Sequence, residues 1–351
     1  MTFAADQLVD WSTALRVGGQ VAGQGPQLSA IDRARLFEDF AEIVPRAESV
    51  VGSFTGLAPG TYRSRPWVMS RRQWLQANLR TFERILDPLA ERILNARPDG
   101  RMAPVRRHVL GAQIGGLLGY LGRRVLGQYD VFLPPDDDGL LYLVGPNVAG
   151  MERKFGFPPG EFRLWLALHE VDHRLQFGGA PWLRGYLSGM VESYLNSVEV
   201  DPKWLAERLK RAVEEVRTNR AEYRGFGWIF LLMSDDQREI VRRMQSMMSL
   251  LEGHATYVMN SVSREHVPAA GAFHRTLHER RNKRGIEHAF QKVIGFDVKA
   301  RQYDLGEHFV STVVDRVGMD RFNRVWDGPP MLPTMEEIAR PEAWVARVAA
   351  G

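Results

Sequence analysis

At 351 residues, with 44% hydrophobic and 25% charged side chains, the chain has an ordinary globular composition that excludes wholesale disorder. It contains no cysteine, which excludes disulfides and thiolate metal sites and leaves His, Asp and Glu as the available metal ligands. The formal net charge of +4 is modest, and arginines lie beside acids along the chain, a pattern of salt-bridged surface that argues against a nucleic-acid stripe.

The N-terminus lacks a basic segment followed by an apolar one, so no signal peptide is expected and the protein reads as cytoplasmic. A short amphipathic piece over Leu8–Val17 leads into a Gly/Gln-rich loop, Gly18–Gln27. From Ser29, Ile31, Leu36, Phe37, Phe40, Ile43 and Val44 recur at helical spacing, with Pro45 as an interruption and Thr55–Gly60 as a turn. Trp67–Leu94 reads as one or two long helices with Trp74, Leu75, Leu79, Phe82, Ile85 and Leu86 as the buried stripe. Val105–Leu126 reads as a further helix. Its apolar core, Val109–Leu121, is too short for a membrane span, and its glycines suit close helix packing. Tyr129–Pro134 and Leu140–Val144 read as two short strands around an acidic turn, Asp136–Gly139.

Residues 161–177 carry the chemistry. They contain His169-Glu170-x-x-His173, and helical positions i and i+4 stand one above the other, so both imidazoles can reach one metal ion. Glu170, one residue beyond the first ligand, can hold a metal-bound water without occupying a coordination position. Pro158-Pro159-Gly160 and Gly178-Gly179-Ala180-Pro181 bound the expected helix.

Beyond the motif, Trp182–Val198 and Pro202–Arg220 look helical, and Gly225–Met233 is apolar and aromatic. Asp236 starts a long helix with a methionine- and leucine-rich stripe that a carboxylate, Glu252, interrupts. Two histidines make an incomplete zinc site, and a buried carboxylate is costly unless it is paired or ligates a metal. Glu252 is therefore the expected third ligand, a buried Glu–Arg pair being the other reading, and Gly253 leaves room for another helix to approach. His254, two residues on, is the other candidate, but i and i+2 point roughly opposite ways on a helix and are not expected to share an ion, so Glu252 is preferred. His274 and His278 repeat the i, i+4 spacing without the glutamate, in a heavily charged stretch that reads as surface. The run Arg280-Arg281-Asn282-Lys283-Arg284 reads as a solvated helix end, so no nucleic-acid partner is expected. Helices over Phe273–Val293, Phe309–Val317 and Glu342–Val348 complete the chain.

Several of these segments together resemble a known family: Leu140–Asn147 (LLYLVGPN), Phe162–Phe177 with Pro181-Trp182-Leu183-Arg184, Leu250–Gly253 (LLEG), and Gln302–Gly306 with Phe309-Val310. They are similar to the zincin-like metallopeptidases of the second type, and the likeness runs from about Val9 to the Glu342–Val348 segment. The resemblance implies an α+β, predominantly α-helical fold with a small sheet or hairpin and an H-E-x-x-H active-site helix. It implies Zn²⁺ held by His169, His173 and Glu252, with Glu170 as general base. Asp172 departs from the threonine common at that position; its carboxylate adjusts a ligand histidine or faces solvent. Some members are associated with the biosynthesis of a deazaflavin coenzyme, and members are named from the motif more than from a demonstrated activity.

The expected organisation is a helical N-terminal region, 1–128, packed on a catalytic region, 129–351, or one continuous domain. The expected function is zinc-dependent hydrolysis of a peptide or other amide by a metal-activated water, with the hairpin as the edge strand that holds substrate and Tyr257 or Tyr303 as transition-state donor. The competing reading is a non-catalytic metal-binding scaffold, a partner protein in a coenzyme pathway. No membrane partner is expected.

Overall fold

The computed structural model describes residues 3–58, 60, 63–95, 104–132, 139–198, 233–282 and 297–349. Its contacts divide the chain into two compact units: Met1–Gly179 with Val262–Ala270, and Ala180–Ser261 with Gly271–Gly351.

The first unit begins with helix α1, Trp11–Ala22, whose start is capped where the Asp10 Oδ1 accepts from the Thr13 amide at 2.7 Å. The helix absorbs Gly18 and Gly19, which the sequence suggested as loop. The reason is a partner: α4, Pro104–Gly122, lies against it backbone to backbone. A Cβ on Gly111, Gly115 or Gly119 would stand 2.3, 2.1 or 2.4 Å from the carbonyl oxygens of Asp10, Ala14 and Gly18. These glycines recur every four residues, so they form one stripe along α4.

Helix α2, Ala30–Thr55, starts in a reciprocal Ser29/Asp32 capping box and ends at Gly56, which takes a left-handed φ of 73°. The interruption expected at Pro45 does not occur. A helix-interior proline costs roughly 3 kcal/mol, and the fully buried stripe of Phe40, Val44, Ala47 and Val51 along the same helix offsets it. The structure also corrects the expected helix start at Trp67. Arg65–Met69 is a strand, β1, and α3, Arg71–Asn95, begins only after Ser70 and Gln73 exchange side-chain and backbone hydrogen bonds.

Strand β1 has a partner 75 positions on, which local periodicity cannot reveal. It pairs in parallel with β3, Leu140–Val144, from Arg65 opposite Leu140 to Met69 opposite Val144. On the other side of β3 lies β2, Gly127–Tyr129, antiparallel, with Gly127 opposite Leu143 and Tyr129 opposite Leu141. The sheet order is β1-β3-β2. The second expected hairpin strand is therefore in place, while the first stops at Tyr129. There Asp130 Oδ1 accepts from the Phe132 amide at 3.0 Å and turns the chain away. The acidic turn at 133–138 lies outside the described residues.

Beyond β3 the chain passes directly into α5, Gly145–Phe155, a helix unmarked in the sequence reading, which Gly156 ends at a φ of 65°. Helix α6, Pro159–Gly179, follows and carries the motif. Fourteen of its residues are buried, so it is apolar around most of its circumference, as a core helix is.

In the second unit every described element is helical. Helices α7, Trp182–Ser197, α8, Asp235–His266, α9, Ala270–Asn282, and α10, Asp297–Val317, are followed by the short α11, Met319–Phe322, α12, Met335–Ala339, and α13, Pro341–Ala349. The expected segments at Pro202–Arg220 and most of Gly225–Met233 lie outside the described residues, as does the end of the expected Phe273–Val293 helix. The close approach anticipated at Gly253 is present: a Cβ there would lie 2.2 Å from the carbonyl carbon of Gly306 on α10. Next to this crossing, Phe309, Phe322 and Trp344 pack as an aromatic cluster, and the Trp344 indole donates to the Met331 carbonyl at 2.8 Å. The fold is thus mostly helical with a small three-stranded sheet, as expected. Among the described residues no helix is long and apolar enough to cross a membrane.

Candidate metal centre

The site begins with the anchoring of α6. The Arg163 guanidinium on its first turns grips Glu152 of α5 through two parallel hydrogen bonds of 2.8 Å and meets Asp39 of α2. Two turns further on, His169 and His173 stand one turn apart with ring centroids 4.7 Å from each other and planes nearly perpendicular.

One histidine is oriented by a polar chain on its own helix. The His173 Nδ1 lies 3.2 Å from the Gln176 Oε1, and the Gln176 Nε2 donates to the Asp172 Oδ2 at 2.8 Å. An amide oxygen only accepts, so in this pairing the imidazole carries its proton on Nδ1, and Nε2 would be the nitrogen offered to a metal. Asp172 and Gln176 are both 0% exposed, so the aspartate does not face solvent. It acts on His173 through Gln176. Gln176 had no signal beyond its position one turn after a motif residue.

Glu170 is held from the sheet. In an antiparallel ladder alternate residues turn their backbone groups toward and away from the neighbouring strand, and Tyr129 of β2 turns its amide outward. That amide donates to the Glu170 Oε2 at 3.1 Å, and the carboxylate is buried. Gly127 makes the approach feasible, because a Cβ there would stand 2.6 Å from the Glu170 Oε1. The strand anticipated as a substrate edge is the one that positions the motif glutamate. Gly127 lies 43 positions before Glu170, so no local pattern ties the two together.

Glu252 sits on α8, partly buried. His169, His173 and Glu252 each offer one ligand atom, and these atoms lie within 4.8 Å of one another. Two imidazoles and a carboxylate are a zinc donor set. The residues present fit the metal.

The other candidates fall elsewhere. His254 is fully buried and stacks on Phe322 at 5.5 Å with its edge toward Trp326, inside the aromatic cluster of the second unit. His274 is exposed on α9. Tyr257 is on α8, five residues after Glu252 and half-buried. The side chains of Tyr303, His278, Arg280 and Arg281 lie outside the described residues, as do Lys283 and Arg284.

Comparison with known proteins identifies the family. A family model of zincin-like metallopeptidases matches residues 9–345. A crystal structure from Chloroflexus aurantiacus, described as "a putative hydrolase with a novel fold", aligns with a TM-score of 0.74 at 31% identity, covering 98% of this chain and 100% of that one. A search of curated proteins returned no match. A match of nearly the whole chain, on the sequence that places two histidines and a glutamate together, settles the membership: the chain belongs to the zincin-like metallopeptidase family.

Proposed function

We propose that this protein is a zinc-dependent hydrolase that cleaves a peptide or another amide, with zinc held by His169, His173 and Glu252. The observation that carries this reading is the grouping of those three donors, two of them on the helix that bears Glu170. Zinc held there would supply Lewis acidity, making water more acidic and the scissile carbonyl more electrophilic.

The chain's own residues do the rest. Glu170 takes the proton of the attacking water, its carboxylate held in place by the Tyr129 amide on Oε2. It then hands that proton to the departing amine, as a general base that becomes a general acid. The fixed amide holds the carboxylate in one orientation throughout, so no reorganisation is needed as charge moves. Gln176 and Asp172 keep the His173 ring turned to present Nε2.

The test is metal content followed by turnover. Purified protein contains one zinc per chain and His169→Ala loses it. Glu170→Gln keeps zinc and fold while hydrolysis of a mixed-sequence fluorogenic peptide set falls by roughly 10²–10⁴-fold, the usual contribution of a general base. Absence of zinc from wild type, with the same metal content in His169→Ala, defeats the site. Wild type that holds zinc and turns over nothing beyond Glu170→Gln would instead be a metal-binding scaffold.

A further inference from the structure

Away from the motif, the first unit contains a cavity of about 1040 Å³. It opens where the parallel strands β1 and β3 both end, at Met69 and Val144, and where α3 and α5 begin. Carboxyl ends of parallel strands collect helix N-termini, whose partial positive charge favours anions. Here those amides are partly used: Ser70 and Gln73 satisfy each other at the start of α3, and Pro146 has no amide to give. Hydrogen bonds to a ligand must come mainly from side chains.

The side chains are arginines. Arg16, Arg33, Arg71 and Arg72 line the cavity, and no lining residue is acidic. No carboxylate therefore neutralises them from within the lining. Arg71 is the most constrained. Its Nε donates to the Asn147 Oδ1 and its Nη1 to the Ala22 carbonyl, each at 2.7 Å, so neutral oxygens alone fix it. Asn147 is fixed in turn by donating to the carbonyls of Gly122 and Val125 at 2.9 and 2.6 Å. Burial, together with the nearby Arg123 charge, holds the Arg71 pKa below the usual guanidinium value. Gly25, at a φ of 72°, passes so close that a Cβ would lie 2.7 Å from the Arg71 Cζ, which only a glycine allows. A half-buried cation with rigid support and no anion among the lining residues is an arrangement that a ligand completes.

We propose that this cavity binds a small organic phosphate, with Arg71 and Arg72 on the phosphate, Arg16 and Arg33 adding charge, and the less polar body of the ligand against Leu15, Leu28, Val68 and Met69. Four guanidinium groups without a carboxylate favour a ligand of more than one negative charge, and a phosphomonoester carries about −1.5 to −2 near neutral pH. Its oxygens also match the guanidinium fork. The volume, at the upper end of small-molecule sites of roughly 300–1,000 Å³, leaves room for a nucleotide-sized body. This site uses no residue of the metal centre, and its test reads binding, so it stands or falls separately from the hydrolase reading.

The full-length protein is titrated calorimetrically in about 0.15 M salt with adenosine 5′-monophosphate, adenosine, pyrophosphate and citrate. The monophosphate or pyrophosphate binds with a Kd well under about 1 mM, and adenosine and citrate bind at least about tenfold more weakly. The double variant Arg16→Gln/Arg72→Gln, at exposed positions, weakens the phosphate ligand by about tenfold or more at unchanged melting temperature. Arg71→Lys does the same, because an ammonium cannot keep both neutral oxygens and a bidentate grip; should it fail to fold, the exposed pair still decides. Arg243→Gln, on α8, leaves affinity unchanged. The proposal is overturned if neither phosphate probe binds, if citrate binds as tightly, or if the double variant binds like wild type.

Discussion

In the first unit the motif helix is fixed by directional polar contacts, whereas in the second the helix bearing Glu252 is fixed by close backbone approach and aromatic packing. Arg163 grips Glu152, the Tyr129 amide holds Glu170, and Asp172 acts on His173 through Gln176. Beside Glu252 the corresponding devices are Gly253 against Gly306 and the stacking of His254 on Phe322. The difference follows from the donors. An imidazole ligates through one nitrogen of one tautomer, so a hydrogen-bond partner must set its proton and its plane. A carboxylate has two equivalent oxygens, so the position of the backbone that carries it matters more than the plane of the group, and packing sets that position. The first unit also has a glycine crossing, but between α1 and α4, which carry no donor.

The largest test exploits that last point. Gly306→Ala puts a Cβ 2.0 Å from the Ser249 carbonyl and Gly115→Ala puts one 2.1 Å from the Ala14 carbonyl. Each is expected to destabilise its unit by about 3 kcal/mol, measured by urea unfolding. Only Gly306→Ala is also expected to weaken zinc binding, since it displaces the helix that carries Glu252. Equal zinc loss in both variants would break the distinction.

Next comes the polar side. Gln176→Met preserves volume and removes the acceptor for the His173 Nδ1, so zinc affinity in competition with a chelator should fall by roughly 10–100-fold. An unchanged affinity would mean that packing alone orients the ring. Gly127→Ala should leave zinc in place and reduce turnover by about 10²-fold or less, because its Cβ displaces the Glu170 carboxylate. Retained turnover would free β2 from its role in positioning the base.

The smallest expected effect lies far from the donors. Glu83 has its pKa raised from 4.5 to about 7, first by burial and then by a hydrogen bond and charge from Asp6, with Asp87 adding charge. A folded pKa above the unfolded one means that the folded state keeps a proton which the unfolded chain releases, so stability falls as pH rises from 4.5 through about 7. Glu83→Gln should flatten that slope in thermal melts across the window without altering zinc binding. A slope that persists would assign it to other groups.

Much of the site could be read from residues alone. His169 and His173 follow from a spacing that any helix converts into a shared face. Glu252 stood out as a charge in a methionine- and leucine-rich run, and Gly253 as the gap that a neighbouring helix would use. Some errors had a common cause. Gly18 and Gly19 looked like loop because the glycine stripe of α4 lies nearly a hundred residues on, and Trp67–Met69 looked helical because the strand that pairs with it begins at Leu140. Pro45 looked like an interruption because its local cost was visible and the buried stripe around it was not.

Helical period, cap residues and the zinc donor types are local properties, written within four or five residues, and the chain declares them directly. Tertiary structure decided which backbone amide reaches Glu170, which side chain sets the tautomer of His173, and that four scattered arginines line one cavity without an acid. Those depend on groups that are distant in sequence, or on the exact direction of a side chain, and only a packed backbone defines either.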